Sequence, residues 1–154
     1  MTQKIYTAED IPLVTDTIAW IRQHPELYAG PPPYRRRLAA RLVHDLVCFG
    51  LNNVSAEAFD TWWLVTAQMD WLVIDGIYRA EYWRTVRAAP EIGLDACRPE
   101  VVMTALSHTL FTVANGSVEF VVGNEIGHDG LRTKVKSLAA PDFRGRAVGF
   151  LIEE

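Results

Sequence analysis

The four residues Gly30-Pro31-Pro32-Pro33 restrict the fold of this sequence most, because consecutive prolines cannot continue a helix. They separate two segments in which apolar residues recur at helical spacing. We predict an amphipathic helix over residues 8–23, with Asp10 as a possible cap, and a central helix over residues 34–53. The apolar positions that carry these patterns are Ile11, Val14, Ile18 and Ile21 in the first segment and Leu38, Leu42, Val43, Leu46, Val47 and Leu51 in the second.

Strands are predicted after the central helix. Residues 61–66 and 71–74 are rich in β-branched and aromatic side chains, and the polar residues 68–70 lie between them, which predicts a hairpin. Asp75-Gly76 marks a turn. Residues 77–90 have no clean period, and we predict a loop with some helix there.

The remainder of the chain predicts one more helix and three more strands. Pro99 and Glu100 suit the first turn of a helix, which we expect to end near Asn115-Gly116. The strands are predicted at 117–123, 131–138 and 146–152, with a polar turn at 124–129. With no internal repeat or linker visible, residues 1–154 are expected to form a single domain.

Composition narrows the class of protein. The 154 residues are 49% hydrophobic and 22% charged, which is typical of a soluble globular chain. A net charge of −4 argues against nucleic acid as a partner, because the molecule as a whole repels phosphate backbones. Cys48 and Cys97 have no CxxC spacing, so we expect a reduced, cytoplasmic protein. The polar start and the lack of an apolar run of roughly 18 residues predict no signal peptide and no membrane span.

Several polar groups invite functional readings, and each has a simpler alternative. Arg35, Arg36, Arg37 and Arg41 are either a solvated helix start or a site for DNA or phosphate. Ser107 with His108 supports a catalytic triad only weakly, because no third member stands at a diagnostic spacing. The group Glu125, His128 and Asp129 is more simply a polar surface turn than a metal site, and we predict no metal ligands.

Ten residues, IRQHPELYAG at 21–30, resemble the IRxRPxMYxG segment that opens the ATPase domain of DNA gyrase B and topoisomerase IV subunits, members of the GHKL (Bergerat-fold) group. Later pieces follow in the same order. LVHDLV at 42–47 is similar to the LVYEVV helix, and residues 72–76 to the strand ending in the DDG turn. PEVVMTAL at 99–106 is similar to AEVIMTVL, and RGRAVGF at 144–150 to the GTxVxF strand.

The resemblance implies an α+β two-layer fold, in which helices cover one face of a mixed β-sheet and the ligand lies between the layers. The departures of this sequence from the family pattern imply that ATP hydrolysis is lost. Asp45 stands in place of the family's catalytic glutamate but is one methylene shorter, and Phe49 replaces the magnesium-binding asparagine and cannot bind a hard cation. We therefore expect neither metal nor cofactor.

The rest of the implied nucleotide site is also altered. Ile74 stands where the adenine-reading aspartate belongs, although a slip of one residue would give that role to Asp75. Tyr78 or Ile77 replaces a glycine, and no glycine-rich lid follows the Pro99 helix. Weak ATP binding through Asp75 stays open as an alternative.

What remains is predicted to be an apolar site for a small, largely hydrophobic organic molecule. Asp45 is the candidate catalytic acid or base, for a cyclisation or isomerisation without cofactor, and whether the chain is an enzyme stays open. Asp45 could instead pair with Arg41 one turn earlier.

Trp62 and Trp63 should point to opposite faces of a strand, so one is expected on a partner surface, which favours a homodimer. A non-catalytic protein-interaction module, such as an immunity or regulatory factor, is the alternative function. The candidate ligand-binding residues are Phe49, Trp71, Ile74, Asp75, Tyr78 and Trp83.

Overall fold

The computed structural model describes residues 16–153, so Asp10 and the first half of the first predicted helix lie outside the described residues. Within this range the elements are α1 (Thr17–Gln23), α2 (Pro25–Ala29), α3 (Tyr34–Cys48), β1 (Ser55–Phe59), β2 (Trp62–Ala67), a 3-10 turn (Ala80–Trp83), α4 (Pro99–Leu106), β3 (Thr109–Ala114), β4 (Ser117–Val122), α5 (Asp129–Leu138) and β5 (Arg146–Leu151). The α+β class predicted for the chain is confirmed.

The five strands form one sheet in the order β1-β2-β5-β3-β4. All four pairings are antiparallel, so the sheet is antiparallel where a mixed sheet was expected. Hairpins join β1 to β2 and β3 to β4, and β5 is inserted between them. The last strand of the chain therefore holds the two hairpins together.

The helix layer covers one face of the sheet. Buried residues of α1, α3 and α4 pack against alternate residues of the strands, among them Val65, Leu110, Val148 and Phe150. The short helix α5 packs against the opposite face, on Trp62, Leu64 and Phe111. The main core thus lies between the first four helices and the sheet, and a smaller one lies under α5.

The central helix is shorter than predicted. It begins at Tyr34, directly after the prolines, and ends at Cys48 instead of Asn53. Gly50 adopts φ +85°, and the amides of Gly50 and Leu51 donate to the carbonyls of Val47 (2.9 Å) and Leu46 (3.1 Å). This is a Schellman motif, which satisfies the last carbonyls and stops the helix.

Two predicted strands are wrong. Residues 71–74 do not extend the sheet. They lead into the turn that was predicted at Asp75-Gly76, where both residues have positive φ. The partner of β2 is instead β1, which the sequence did not suggest. Residues 131–138 belong to helix α5, which His128 caps by accepting a hydrogen bond from the Leu131 amide at 3.2 Å.

The segment after α4 also differs from the prediction. The helix ends at Leu106 and not near Asn115-Gly116, and residues 109–114 form β3, all six of which are buried. Strands β4 and β5 lie where they were predicted, and so does the start of α4 at Pro99. Among residues 16–153, no helix has the length and apolar character needed to cross a bilayer.

Candidate functional site

The space between the helix layer and the sheet is filled by the protein's own side chains. Trp71, Leu72 and Trp83, from the long segment between β2 and α4, are all at most 7% exposed and belong to the main core. Two of these residues, Trp71 and Trp83, were predicted to line a ligand pocket. In the structure they are core residues whose indole N–H groups already have acceptors.

Asp45 lies on the inner face of α3 and is 2% exposed. The Arg41 Nε lies 3.4 Å from its Oδ2, and the Nδ1 of the exposed His44 lies 3.2 Å from its Oδ1. Asp45 is therefore buried on the inner face and also makes the Arg41 pairing that was the alternative to a catalytic role. Oδ2 accepts no hydrogen bond within the described residues.

Phe49 contacts a cluster of charged side chains at the start of α4, which consists of Arg87, Arg98 and Glu100. The guanidinium of Arg98 lies over the Phe49 ring at 4.0 Å and donates to the Oε1 of Glu100 at 3.2 Å. Glu100, 1% exposed, also accepts from the Trp71 indole at 3.2 Å, and the Arg87 Nη2 lies 3.5 Å from its Oε2. Burial lowers the pKa of Arg87. The sequence indicated Glu100 only as a favourable helix-start residue and gave no sign of this cluster.

Ile74 and Asp75 lie on the exposed turn after β2, with Ile74 40% exposed. Asp70, three residues after the end of β2, contacts the sheet. It forms a bidentate ion pair with Arg146 of β5, with Nε–Oδ1 and Nη2–Oδ2 distances of 2.7 and 2.9 Å.

Tyr78 lies beside this ion pair. Its ring faces the Arg146 guanidinium at 4.4 Å, its hydroxyl donates to Glu119 at 2.9 Å, and the Trp83 indole donates to the hydroxyl at 3.0 Å. Burial and the Glu119 hydrogen bond raise the pKa of Tyr78 to about 12. A small polar hollow of about 80 Å³ adjoins Tyr78, and Thr112, Glu119 and Arg146 line it.

The other candidate groups have structural partners. His128 caps α5, and Asp129 pairs with Arg132, which lowers the pKa of Asp129. His108 lies 3.6 Å from Glu153 rather than in a triad. In the part of the chain that the structure describes, no three histidine, cysteine or acidic side chains are grouped so that they could hold a metal ion.

A surface groove lies between α3 and the hairpin β1–β2. It has a volume of about 340 Å³, and the residues that line it are mainly apolar: Arg36, Ala39, Ala40, Val43, His44, Ala56 and Trp63. We call it the α3 groove. A second hollow of about 310 Å³, lined by Pro33, Arg36, Arg37 and Ala40, continues it toward the start of α3.

Trp63 is the large side chain of the α3 groove. Trp62 and Trp63 point to opposite faces of the sheet, as predicted, with Trp62 under α5 and Trp63 half-buried against the helix layer. Arg36 and Arg37 are exposed at the rim, and within residues 16–153 neither forms an ion pair. The groove therefore combines an aromatic floor with unpaired positive charge.

Comparisons of the chain with protein families, with curated proteins and with solved structures find no match.

Proposed function

We propose that this chain is a non-catalytic interaction module, with a regulatory or immunity role, that binds a partner protein through the α3 groove. The observation that carries the proposal is the contrast between two spaces. The cleft between helices and sheet contains the buried Trp71 and Trp83, whereas the α3 groove is open and apolar. Protein interfaces are enriched in exposed aromatic anchors and arginines, as this groove is.

The relation to the gyrase-B-like ATPase domains belongs to the same proposal. Helices α3 and α4 and strand β5 cover three of the segments that resemble the family, at 42–47, 99–106 and 144–150, and support the proposal, whereas the segment 72–76 forms a turn in place of the family's strand. Only Ser107 and His108 separate α4 from β3, so no loop stands at the place of the glycine-rich lid. A degenerate domain of that kind would keep its frame for binding after losing its phosphate chemistry.

Photo-crosslinking in cells tests the interaction. The photoreactive residue p-benzoylphenylalanine replaces Ala56 in the α3 groove or, as a matched control, Lys136 on α5, which is exposed on the other face. We expect a discrete cross-linked protein from position 56 and none from position 136. The purified partner should then lose affinity for the Ala40→Glu variant, because this exposed helical position places a charge in the groove. Equal cross-linking at both positions contradicts the proposal.

A second candidate function is binding of a small organic molecule, with a cyclisation or isomerisation as its possible chemistry. The observation that favours it is the hollow beside Tyr78, although about 80 Å³ admits only a few non-hydrogen atoms. A thermal-shift screen of small organic acids and alcohols tests it. A ligand that stabilises the wild type and not Tyr78→Phe supports this candidate, while loss of the effect in Ala40→Glu alone supports the groove. Calorimetry with ATP and magnesium tests the weak ATP binding through Asp75.

A further inference from the structure

Strand β1 is an open edge of the sheet beside the α3 groove. It has five residues, from Ser55 to Phe59, and among residues 16–153 its only strand neighbour is β2. Four of its five residues are exposed. An edge strand of this kind presents unpaired N–H and C=O groups, which can pair with a strand from another chain.

The side chains of β1 leave room for an added strand under α3. Ala56 and Ala58 pair with Val65 and Trp63, which face the helix layer, so these two alanines point to the same side. Because both are small, a space remains between β1 and α3, and its floor is Trp63. In an added strand every second side chain would point into that space.

The charges around this space are all positive. Arg36 lines the α3 groove, Arg37 lines its continuation, and among residues 16–153 no acidic side chain lines either hollow. The one acidic residue of β1, Glu57, points to the other face, where its Oε2 lies 3.8 Å from the Nζ of Lys134. The space is therefore complementary to a segment that carries apolar and acidic residues.

We infer that an extended segment of a partner protein adds to β1 as a sixth strand, with apolar side chains in the α3 groove and carboxylates on Arg36 and Arg37. This inference rests on the proposed interaction function and names the chemistry of the partner. Main-chain hydrogen bonds to β1 provide the affinity, and the alternate side chains provide the selectivity. A second copy of this chain fits less well, because its β1 contributes a single carboxylate that already pairs with Lys134.

Two labelled peptides test the inference by fluorescence anisotropy, VTVTVDD and its reverse DDVTVTV, which cover both strand directions. At least one should bind, and replacing its two aspartates by lysines should weaken binding by about tenfold or more. Arg36→Glu should weaken it by about tenfold, because a rim attraction becomes a repulsion. The control Lys136→Glu changes the net charge equally on the opposite face and should alter the dissociation constant by less than about twofold.

N-methylation of the bound peptide distinguishes strand addition from simple occupation of the groove. In an added strand alternate amides point toward β1, so methylating one alternate set should abolish binding and methylating the other should not. Amide hydrogen exchange at residues 55–59 should slow when the unmethylated peptide binds. The inference is overturned if the two methylated peptides bind equally well. It is also overturned if neither of the unmethylated peptides, VTVTVDD and DDVTVTV, binds. Cross-linking from position 56 would persist in that case, so the broader interaction proposal is judged separately.

Two other results also overturn the inference. If β1 were covered by a second copy, sedimentation would show a dimer that the peptide does not dissociate, and residues 55–59 would already be protected without peptide. If the rim served nucleic acid, a duplex oligonucleotide would displace the peptide and bind with a steep salt dependence.

Discussion

Replacing Asp70 with alanine leaves the guanidinium of Arg146 buried without its counterion. The Arg146 side chain is only 3% exposed, and two of its nitrogens donate to the Asp70 carboxylate. Its third nitrogen donates to the Thr112 hydroxyl at 2.8 Å, which does not balance the charge. Removing one partner of a buried ion pair costs about 3–5 kcal/mol, so we expect the free energy of unfolding to fall by about 4 kcal/mol.

Urea unfolding followed by circular dichroism measures this loss. In a chain of this length each kcal/mol lowers the melting temperature by about 2–4 °C, so Asp70→Ala should melt about 12 °C below the wild type. The matched control is Asp142→Ala, since Asp142 is exposed, and its effect should stay within about 0.5 kcal/mol.

A double variant separates the charge from the packing. Asp70→Leu combined with Arg146→Met removes both charges and should be more stable than Asp70→Ala, because replacing a whole buried pair is often neutral. A loss below about 1 kcal/mol in Asp70→Ala would refute the reasoning. It would mean that water or another group neutralises Arg146 in the folded protein.

Two further predictions concern stability. A Cβ at Gly149 would lie 2.1 Å from the Cζ of Phe111, so Gly149→Ala should cost about 3 kcal/mol by overpacking, while Gly127→Ala, which faces open space, should cost under about 1 kcal/mol in the same urea assay. The pKa of Tyr78 is raised to about 12, so the stability that its protonated hydroxyl contributes is complete below about pH 10 and is lost as the pH rises toward 12. Absorbance at 295 nm should show one tyrosine that titrates late in the wild type and is missing in Tyr78→Phe. Identical titration curves for the two proteins, apart from the loss of one ordinary tyrosine, would contradict the Glu119 hydrogen bond.

Helix starts were predictable because proline marks them. Tyr34 and Pro99 begin helices where the sequence places them, next to or at a proline. The end of α3 was not predictable from periodicity, because Leu51 continues the apolar pattern although it lies three residues after the end of the helix. Only the positive φ of Gly50 reveals the cap, and a glycine alone does not specify it.

The misassigned segments share a physical cause. All six residues of β3 are buried, so the strand lacks the alternation of polar and apolar residues that distinguishes it from a helix. In α5 only Leu131 and Val135 are buried, and two positions in a short helix are too few to establish a period. Strand β1 contains alanine and glutamate, which have low strand propensity, so its sequence does not indicate a strand. All five of its residues nevertheless pair with β2.

The candidate site was predictable only in part. The role proposed for Asp45 came from the family resemblance, whereas the ion pair of Asp70 and Arg146 joins residues 76 positions apart. No local pattern reports such a contact. Tyr78 was predicted as a site residue from its position after the turn. Its hydrogen-bond partner Glu119 lies on β4, and the sequence gives no sign that the two residues are neighbours.

The connection of two residues between α4 and β3 has a mechanical consequence. So short a tether gives the helix no room to swing away from the strand that follows it, and the domain has no hinge at that point. A partner that binds to the α3 groove should therefore leave the position of α4 against β3 unchanged.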